Sequence, residues 1–245
     1  MKHGVSQSYC LGVDTLSMSK QLNDKGLSLE YIERNDFMTF ICGKYSKDSI
    51  ILGCDSLVTT KAGNVYNRKY FINKKESLIV LYAGCSMIRQ QNGNLLYIGD
   101  IIEYDINKYN GVNILEIKET LLNDIVRFLP RDDDFLGQIL VAYQQNELLI
   151  LEGYEINVKK SSRIDEYNIF KYYDSQSYYF HSDELVTFGI VSNQEANRQY
   201  QLMEGVEREK IEQIITQFVR NSGYPTVGGK TTIIELTKQG IKIFE

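Results

Sequence analysis

The stretch MTFICGKYSKDSIILGCDS, residues 38–56, decides the fold class of this chain. Two apolar runs rich in strand-forming residues, 40–44 and 49–55, flank a short polar segment, and this pattern predicts a β-hairpin. The next two runs, 64–72 and 77–84, flank another polar turn and predict a second hairpin. Because short turns join antiparallel strands, we expect the folded part of the chain to open with antiparallel sheet.

Helical and β-rich segments alternate over the rest of the chain. Apolar residues at helical spacing, ending at Pro130, predict a helix over 114–129. The other predicted elements are hairpins over 138–143 with 147–153 and over 231–237 with 241–244, a strand over 185–191, and helices over 194–205 and 207–220. Segment 87–106 is an ambiguous helix, because Asn92-Gly93-Asn94 interrupts it, and 155–179 is not assigned. Since two helical blocks need two apolar sheet faces, we predict an α+β fold, a four-layer α-β-β-α sandwich of two stacked antiparallel sheets.

Composition excludes several classes of function. The 245 residues carry 27 Lys and Arg against 32 Asp and Glu, a net charge of −5, which argues against nucleic acid as the main partner. Two histidines leave little material for a histidine metal site or a histidine base, so we expect no metal and no cofactor. Cys42 and Cys54 lie in apolar runs and are expected to be buried thiols of a reducing compartment.

Nothing in the sequence predicts a membrane protein. The longest apolar runs are far shorter than the ~20 residues that a membrane-spanning helix needs. The first residues lack the long apolar core of a secretory signal. We therefore expect a soluble, cytoplasmic protein with no membrane partner.

Chemically useful residues recur where the predicted strands begin and end. Thr39 opens the first strand and Asp55 ends the second. Lys69 lies in the next β-rich element, and Ala83-Gly84 closes the strand after it. Ser192 and the pair Gly228-Gly229 follow near the C-terminal elements.

This ordered set resembles the N-terminal-nucleophile hydrolases of the proteasome β-subunit and HslV type. The resemblance runs from Thr39 to the C-terminus, and it implies a domain over 39–245 that is preceded by an extension or pro-segment over 1–38. It further implies a threonine peptidase that hydrolyses peptide substrates, assembles into a homo-oligomeric ring and works with an ATP-dependent unfoldase. The implied catalytic residues are Thr39, Asp55, Lys69, Gly84 and Ser192, and Tyr82 is implied to lie at the floor of the first specificity pocket.

The implied chemistry suits these residue types. An N-terminal threonine carries its own base, since a free α-amine has a pKa of about 7.7–8.0 and can accept the hydroxyl proton. A nearby Lys69 ammonium would lower that pKa by like-charge repulsion, and Asp55 would hold the lysine in place. The backbone N–H of Gly84 would face the developing oxyanion, and Ser192 would hydrogen-bond near the amine.

Two departures from the family leave other functions open. Asn221 stands where the family has an aspartate, and Met38, in place of the usual glycine, precedes Thr39. The alternatives are a non-catalytic scaffold subunit and an amide hydrolase of the same fold that acts on a small molecule. A further hypothesis makes Met38 the initiator methionine, because its removal before threonine would expose the nucleophile without autolysis.

Overall fold

The structure is a computed structural model that describes part of the chain. The described residues are 39–46, 48–60, 63–66, 68–84, 87–89, 95–108, 116, 119–121, 123–124, 135–158, 167–173, 184–189, 193–221 and 228–244. The predicted extension over 1–38 and Ser192 lie outside them, as does most of the predicted helix over 114–129. The residues of that helix that are described are helical.

The first predicted hairpin is confirmed. Strands β1 (Phe40–Ser46) and β2 (Ser49–Asp55) pair antiparallel in a register that joins Ile41 to Cys54 and Ser46 to Ser49. Both strands are buried on their two faces, which explains why they are nearly continuous apolar runs rather than alternating ones.

Within the described residues, the two largest sheets are antiparallel and have five strands each. The first sheet has the order β12-β1-β2-β13-β14, and the second has the order β11-β10-β9-β6-β5. The first sheet contains, beside β1 and β2, β12 (Leu185–Gly189), β13 (Thr231–Thr237) and β14 (Gly240–Phe244). The second sheet contains β5 (Tyr70–Asn73), β6 (Leu78–Gly84), β9 (Phe135–Gln145), β10 (Leu148–Val158) and β11 (Tyr167–Tyr173).

Shorter strands and helices complete the described part of the chain. The hairpins are β3 (Leu57–Thr60) with β4 (Gly63–Tyr66), and β7 (Met87–Arg89) with β8 (Leu95–Tyr97). The helices with defined bounds are α1 (Ile98–Lys108), α2 (Asn193–Gln201) and α3 (Glu207–Asn221). None of the described helices is long and apolar enough to cross a membrane.

Three apolar clusters form the core around the two sheets. The inter-sheet cluster joins residues of both sheets, among them Ile41, Leu52, Leu81, Leu140 and Ile234. The α1-side cluster packs α1 on the second sheet, and the α3-side cluster packs α2 and α3 on the first sheet. The described helices therefore pack on the sheets through apolar side chains.

The second predicted hairpin needs a correction. The strand expected over 64–72 is divided, because β4 ends at Tyr66 and pairs with β3, whereas β5 begins only at Tyr70. Lys69 lies between them and sends its side chain to Asp55 in the first sheet. The turn after β5 is as predicted: the Asn73 side chain accepts hydrogen bonds from the amides of Lys75 and Glu76.

The other predicted strands and helices agree with the structure in type over their described residues, and several differ at their ends. The hairpin predicted over 138–153 extends to 135–158, and the helix predicted over 194–205 ends at Gln201. The segment 87–106, an ambiguous helix in the sequence, is helical only from Ile98 onward, where α1 begins, and the strands β7 and β8 precede it. Cys42 and Cys54 are buried free thiols, as expected, and burial raises the pKa of the Cys42 thiol.

Candidate active site

The Asp55 carboxylate is the centre of the candidate site. It ends β2 with 1% of its surface exposed, and four hydrogen bonds converge on its two oxygens. Oδ1 accepts the Phe40 backbone N–H at 3.0 Å and Lys69 Nζ at 2.9 Å. Oδ2 accepts the same Lys69 Nζ at 2.9 Å and the Gly228 backbone N–H at 3.1 Å. A carboxylate buried so deeply is stable only because its lone pairs are satisfied in this way.

Lys69 links the two sheets at this point. Its ammonium bonds to Asp55 in the first sheet, while its carbonyl accepts the Tyr82 N–H at 3.1 Å in the second sheet. The side chain is 4% exposed, and burial lowers the pKa of Lys69 below its usual range while the Asp55 carboxylate opposes that shift. The Lys69 ammonium is thus fixed in place by the Asp55 carboxylate and shielded from solvent.

Thr39 lies at the edge of this ion pair. It immediately precedes β1 and is 7% exposed, and the next amide along the chain, that of Phe40, is the one bound to Asp55. Its carbonyl contacts Gly189 so closely that a Cβ at position 189 would lie 1.6 Å from the Thr39 oxygen. Gly189 also has a φ of +108°, so both space and backbone conformation require glycine there.

The other predicted site residues fall in different surroundings. Gly84 ends β6 with a φ of +116°, a conformation that favours glycine, and it pairs with Gly137 of β9. Tyr82, predicted to fill or floor a pocket, is buried in the α1-side cluster. Asn221 ends α3 and is exposed, and Ser192 lies outside the described residues.

Two contacts of the site were not anticipated from the sequence. The Gly228 amide was noted as part of a glycine pair, but its bond to Asp55 spans 173 residues and has no local signal. Gln138 was not noted at all, although its side chain accepts the Gly189 N–H at 3.0 Å. A clue to Gln138 was present, because it alternates with Leu140 and Ala142 on the inter-sheet face of β9, where a polar side chain needs a partner.

Neither the models of known protein families nor the curated proteins give a match to this sequence. The chemistry of the site must therefore be inferred from its own geometry.

Proposed function

We propose that this chain is a proteasome-like threonine peptidase in which Thr39 is the nucleophile. The observation that carries the proposal is the shared acceptor at Asp55 Oδ1, which binds both the Lys69 ammonium and the Phe40 amide. This arrangement fixes a buried cation beside the peptide that follows Thr39. A buried cation at that place suits a nucleophile whose base is its own α-amine, because like-charge repulsion keeps that amine unprotonated near neutral pH.

The proposed reaction proceeds in two steps. Thr39 Oγ forms a bond to the substrate carbonyl carbon and its proton passes to the Thr39 α-amine, which then protonates the leaving amine as the C–N bond breaks. Water attacks the resulting ester, transfers a proton through the same amine and releases the acid and the free hydroxyl. The Gly84 N–H is proposed to stabilise the oxyanion in both steps, and Ser192 is proposed to hydrogen-bond near the amine.

The proposed architecture is the four-layer α-β-β-α sandwich. Its support is the arrangement of the three apolar clusters, one between the sheets and one under the helices on each side. We propose a closed homo-oligomeric ring, and the exposed Leu202 and Val206 between α2 and α3 are candidates for a contact between subunits. The buried free thiols fit a cytoplasmic protein, and an ATP-dependent unfoldase would deliver peptide substrates to such a ring.

One observation favours a second function, that of a non-catalytic scaffold. Thirty-eight residues precede Thr39 in the sequence, and as long as they remain attached the α-amine is a peptide nitrogen that cannot act as a base. Catalysis therefore requires a chain that begins at Thr39. A small-molecule amide hydrolase has the same requirement, whereas a scaffold does not.

The test compares the full chain with a chain expressed from Met38. Intact mass shows whether each protein begins at Thr39, and a peptide β-lactone probe, which acylates activated hydroxyls, reports the nucleophile independently of substrate choice. We expect the Thr39 form to be acylated once at Thr39 and to cleave fluorogenic peptide amides. Thr39→Ala should abolish both signals, Thr39→Ser should retain acylation, and Thr216→Ala on α3 should resemble the wild type.

The outcomes separate the three functions. A folded protein that begins at Thr39 but is not acylated would rule out both hydrolases and leave the scaffold. Acylation without cleavage of any peptide amide would favour the small-molecule hydrolase. A stable full-length chain that resists processing would favour the scaffold.

A further inference from the structure

A side-chain amide of the second sheet crosses to the first sheet next to the candidate nucleophile. Gln138, on β9, accepts the backbone N–H of Gly189 with its Oε1 at 3.0 Å. Its Nε2 donates to Glu155 Oε2 of the neighbouring strand β10 at 2.9 Å. Both ends of the amide are therefore used, one in each sheet.

The position of this bridge relates it to the proposed chemistry. Gln138 pairs with Ala83 in the β6–β9 ladder, one residue from the Gly84–Gly137 pair. Gly189 pairs with Phe40 in the β1–β12 ladder and contacts the Thr39 carbonyl. The proposed nucleophile Thr39 and the proposed oxyanion donor Gly84 belong to different sheets. The side chain of Gln138 bonds to β12, which contacts Thr39, and the backbone of Gln138 pairs with β6, which carries Gly84.

Glu155 determines which way the amide points. A carboxylate only accepts hydrogen bonds, so it selects the NH₂ end of Gln138 and leaves the carbonyl end for Gly189. A leucine at 138 could make neither bond. A glutamate there could still accept the Gly189 N–H but would place a second negative charge against Glu155.

We propose that Gln138 is a positioning residue that sets the separation between Thr39 and Gly84, with Glu155 fixing its orientation. The proposal deepens the proposed peptidase function and rests on it. Because a displacement of about 1 Å at a reacting centre can cost about 100-fold in rate, loss of the bridge should lower kcat more than it raises KM.

The experiment uses three variants of the chain that begins at Thr39. They are Gln138→Leu, Gln138→Glu and the double variant Gln138→Glu with Glu155→Gln. The double variant reverses the direction of the hydrogen bond between positions 138 and 155 and keeps the bond to Gly189, because the new glutamate accepts from both the Gly189 N–H and the new glutamine. Gln144→Leu is the matched control, since Gln144 lies on the same face of β9 at its other end. Each variant is measured for kcat, for KM and for hydrogen exchange of the Gly189 amide.

We expect both single variants to lose about 10–100-fold in kcat, with KM changed less than about threefold. The Gly189 amide should exchange at least about tenfold faster in Gln138→Leu, and the double variant should recover much of the kcat and of the protection. Gln144→Leu should match the wild type in all three measurements.

Unchanged Gly189 exchange in Gln138→Leu would overturn the proposal, and so would an unchanged kcat or an equal loss in Gln144→Leu. A wild type that fails to react with the β-lactone probe would instead overturn the peptidase function. Hydrogen exchange of the Gly189 amide does not depend on activity, so it would still decide whether Gln138 holds β12 in place.

Discussion

At the scale of single residues, Gly189 contacts the backbone carbonyl of the candidate nucleophile Thr39. Its φ of +108° and its contact with the Thr39 carbonyl are two separate reasons for glycine. Gly240 has only the conformational reason for glycine, since its φ is +124° but a Cβ there would meet nothing within 4 Å. The two glycines therefore separate backbone conformation from steric exclusion.

We predict unequal costs for alanine at these two positions. Gly240→Ala should lower the free energy of unfolding by about 1–2 kcal/mol, the usual cost of a left-handed conformation for a residue with a Cβ. Gly189→Ala should cost at least about 3 kcal/mol, because β12 must also move away from Thr39. Urea unfolding measures both losses, provided that the free energy of unfolding falls with urea concentration at the same slope in each variant. Equal losses in the two variants would contradict the close contact between Gly189 and the Thr39 carbonyl.

At the scale of elements, α1 carries a carboxyl group on its apolar side. Asp105 is fully buried among the isoleucines of this helix, which pack on the second sheet. Burial and the negative charge of Asp124 together raise the pKa of Asp105 to about 6, although Lys108 opposes the shift. The helix is therefore attached to its sheet more favourably when Asp105 is protonated.

The sign of the pH dependence follows from this raised pKa. The folded state binds the Asp105 proton more tightly than the unfolded chain, whose pKa is near 3.8. Ionisation therefore costs stability, and the cost grows as the pH rises from about 4 to about 6 and stays constant above that.

Asp105→Asn should remove this cost. We predict a gain of up to about 3 kcal/mol in the free energy of unfolding at pH 8 and little difference at pH 4, measured by urea unfolding across that range. Asp100→Asn is the control, because Asp100 is exposed in the first turn of the same helix and should give no gain at pH 8. A gain of the same size at both pH values would contradict the ionisation mechanism.

At the scale of the whole molecule, the Lys69–Asp55 pair holds the two sheets together at one end. It is a buried ion pair, so removing one partner leaves the other charged and unpaired. Removing both charges is less harmful than removing one, since no buried charge then remains.

A double-mutant cycle tests this cross-link. Lys69→Met should lower the free energy of unfolding by about 3–5 kcal/mol, and Asp55→Asn combined with Lys69→Met should lower it by less. Lys230→Met, at an exposed lysine beside β13, should change it by no more than about 0.5 kcal/mol. If the double variant is less stable than Lys69→Met, the pair is not the cross-link described. All variants that lack Lys69 or Asp55 should lose acylation of Thr39.

The local parts of the fold were predictable because their signals are local. Turn residues and apolar runs identified the hairpins β1–β2, β9–β10 and β13–β14. The division at Lys69 was missed, because its cause is a carboxylate in another sheet. Strand neighbours such as β12 with β1 depend on contacts between segments that are distant in the sequence. The spacing of apolar residues along the chain does not predict such contacts.

The candidate site was predictable to the same degree. Asp55 and Lys69 were identified through the resemblance to the proteasome-like hydrolases, and the structure joins them directly. The roles of Gln138 and Gly189 were not predicted, because the hydrogen bond that joins them forms only after the two sheets stack. Their residue types alone, an amide and a glycine in strands, carry no sign of that role.

The bond from Gly228 to Asp55 has a consequence for biosynthesis. A ribosome adds the 173 residues between them in roughly 10–35 s, and during that time the carboxylate lacks one of its donors. Strand β2 also cannot pair with β13, its second neighbour in the sheet, until β13 has been synthesised. The nascent chain therefore holds an incomplete site until its C-terminal hairpin emerges, which delays any reaction at Thr39 until the fold can close around it.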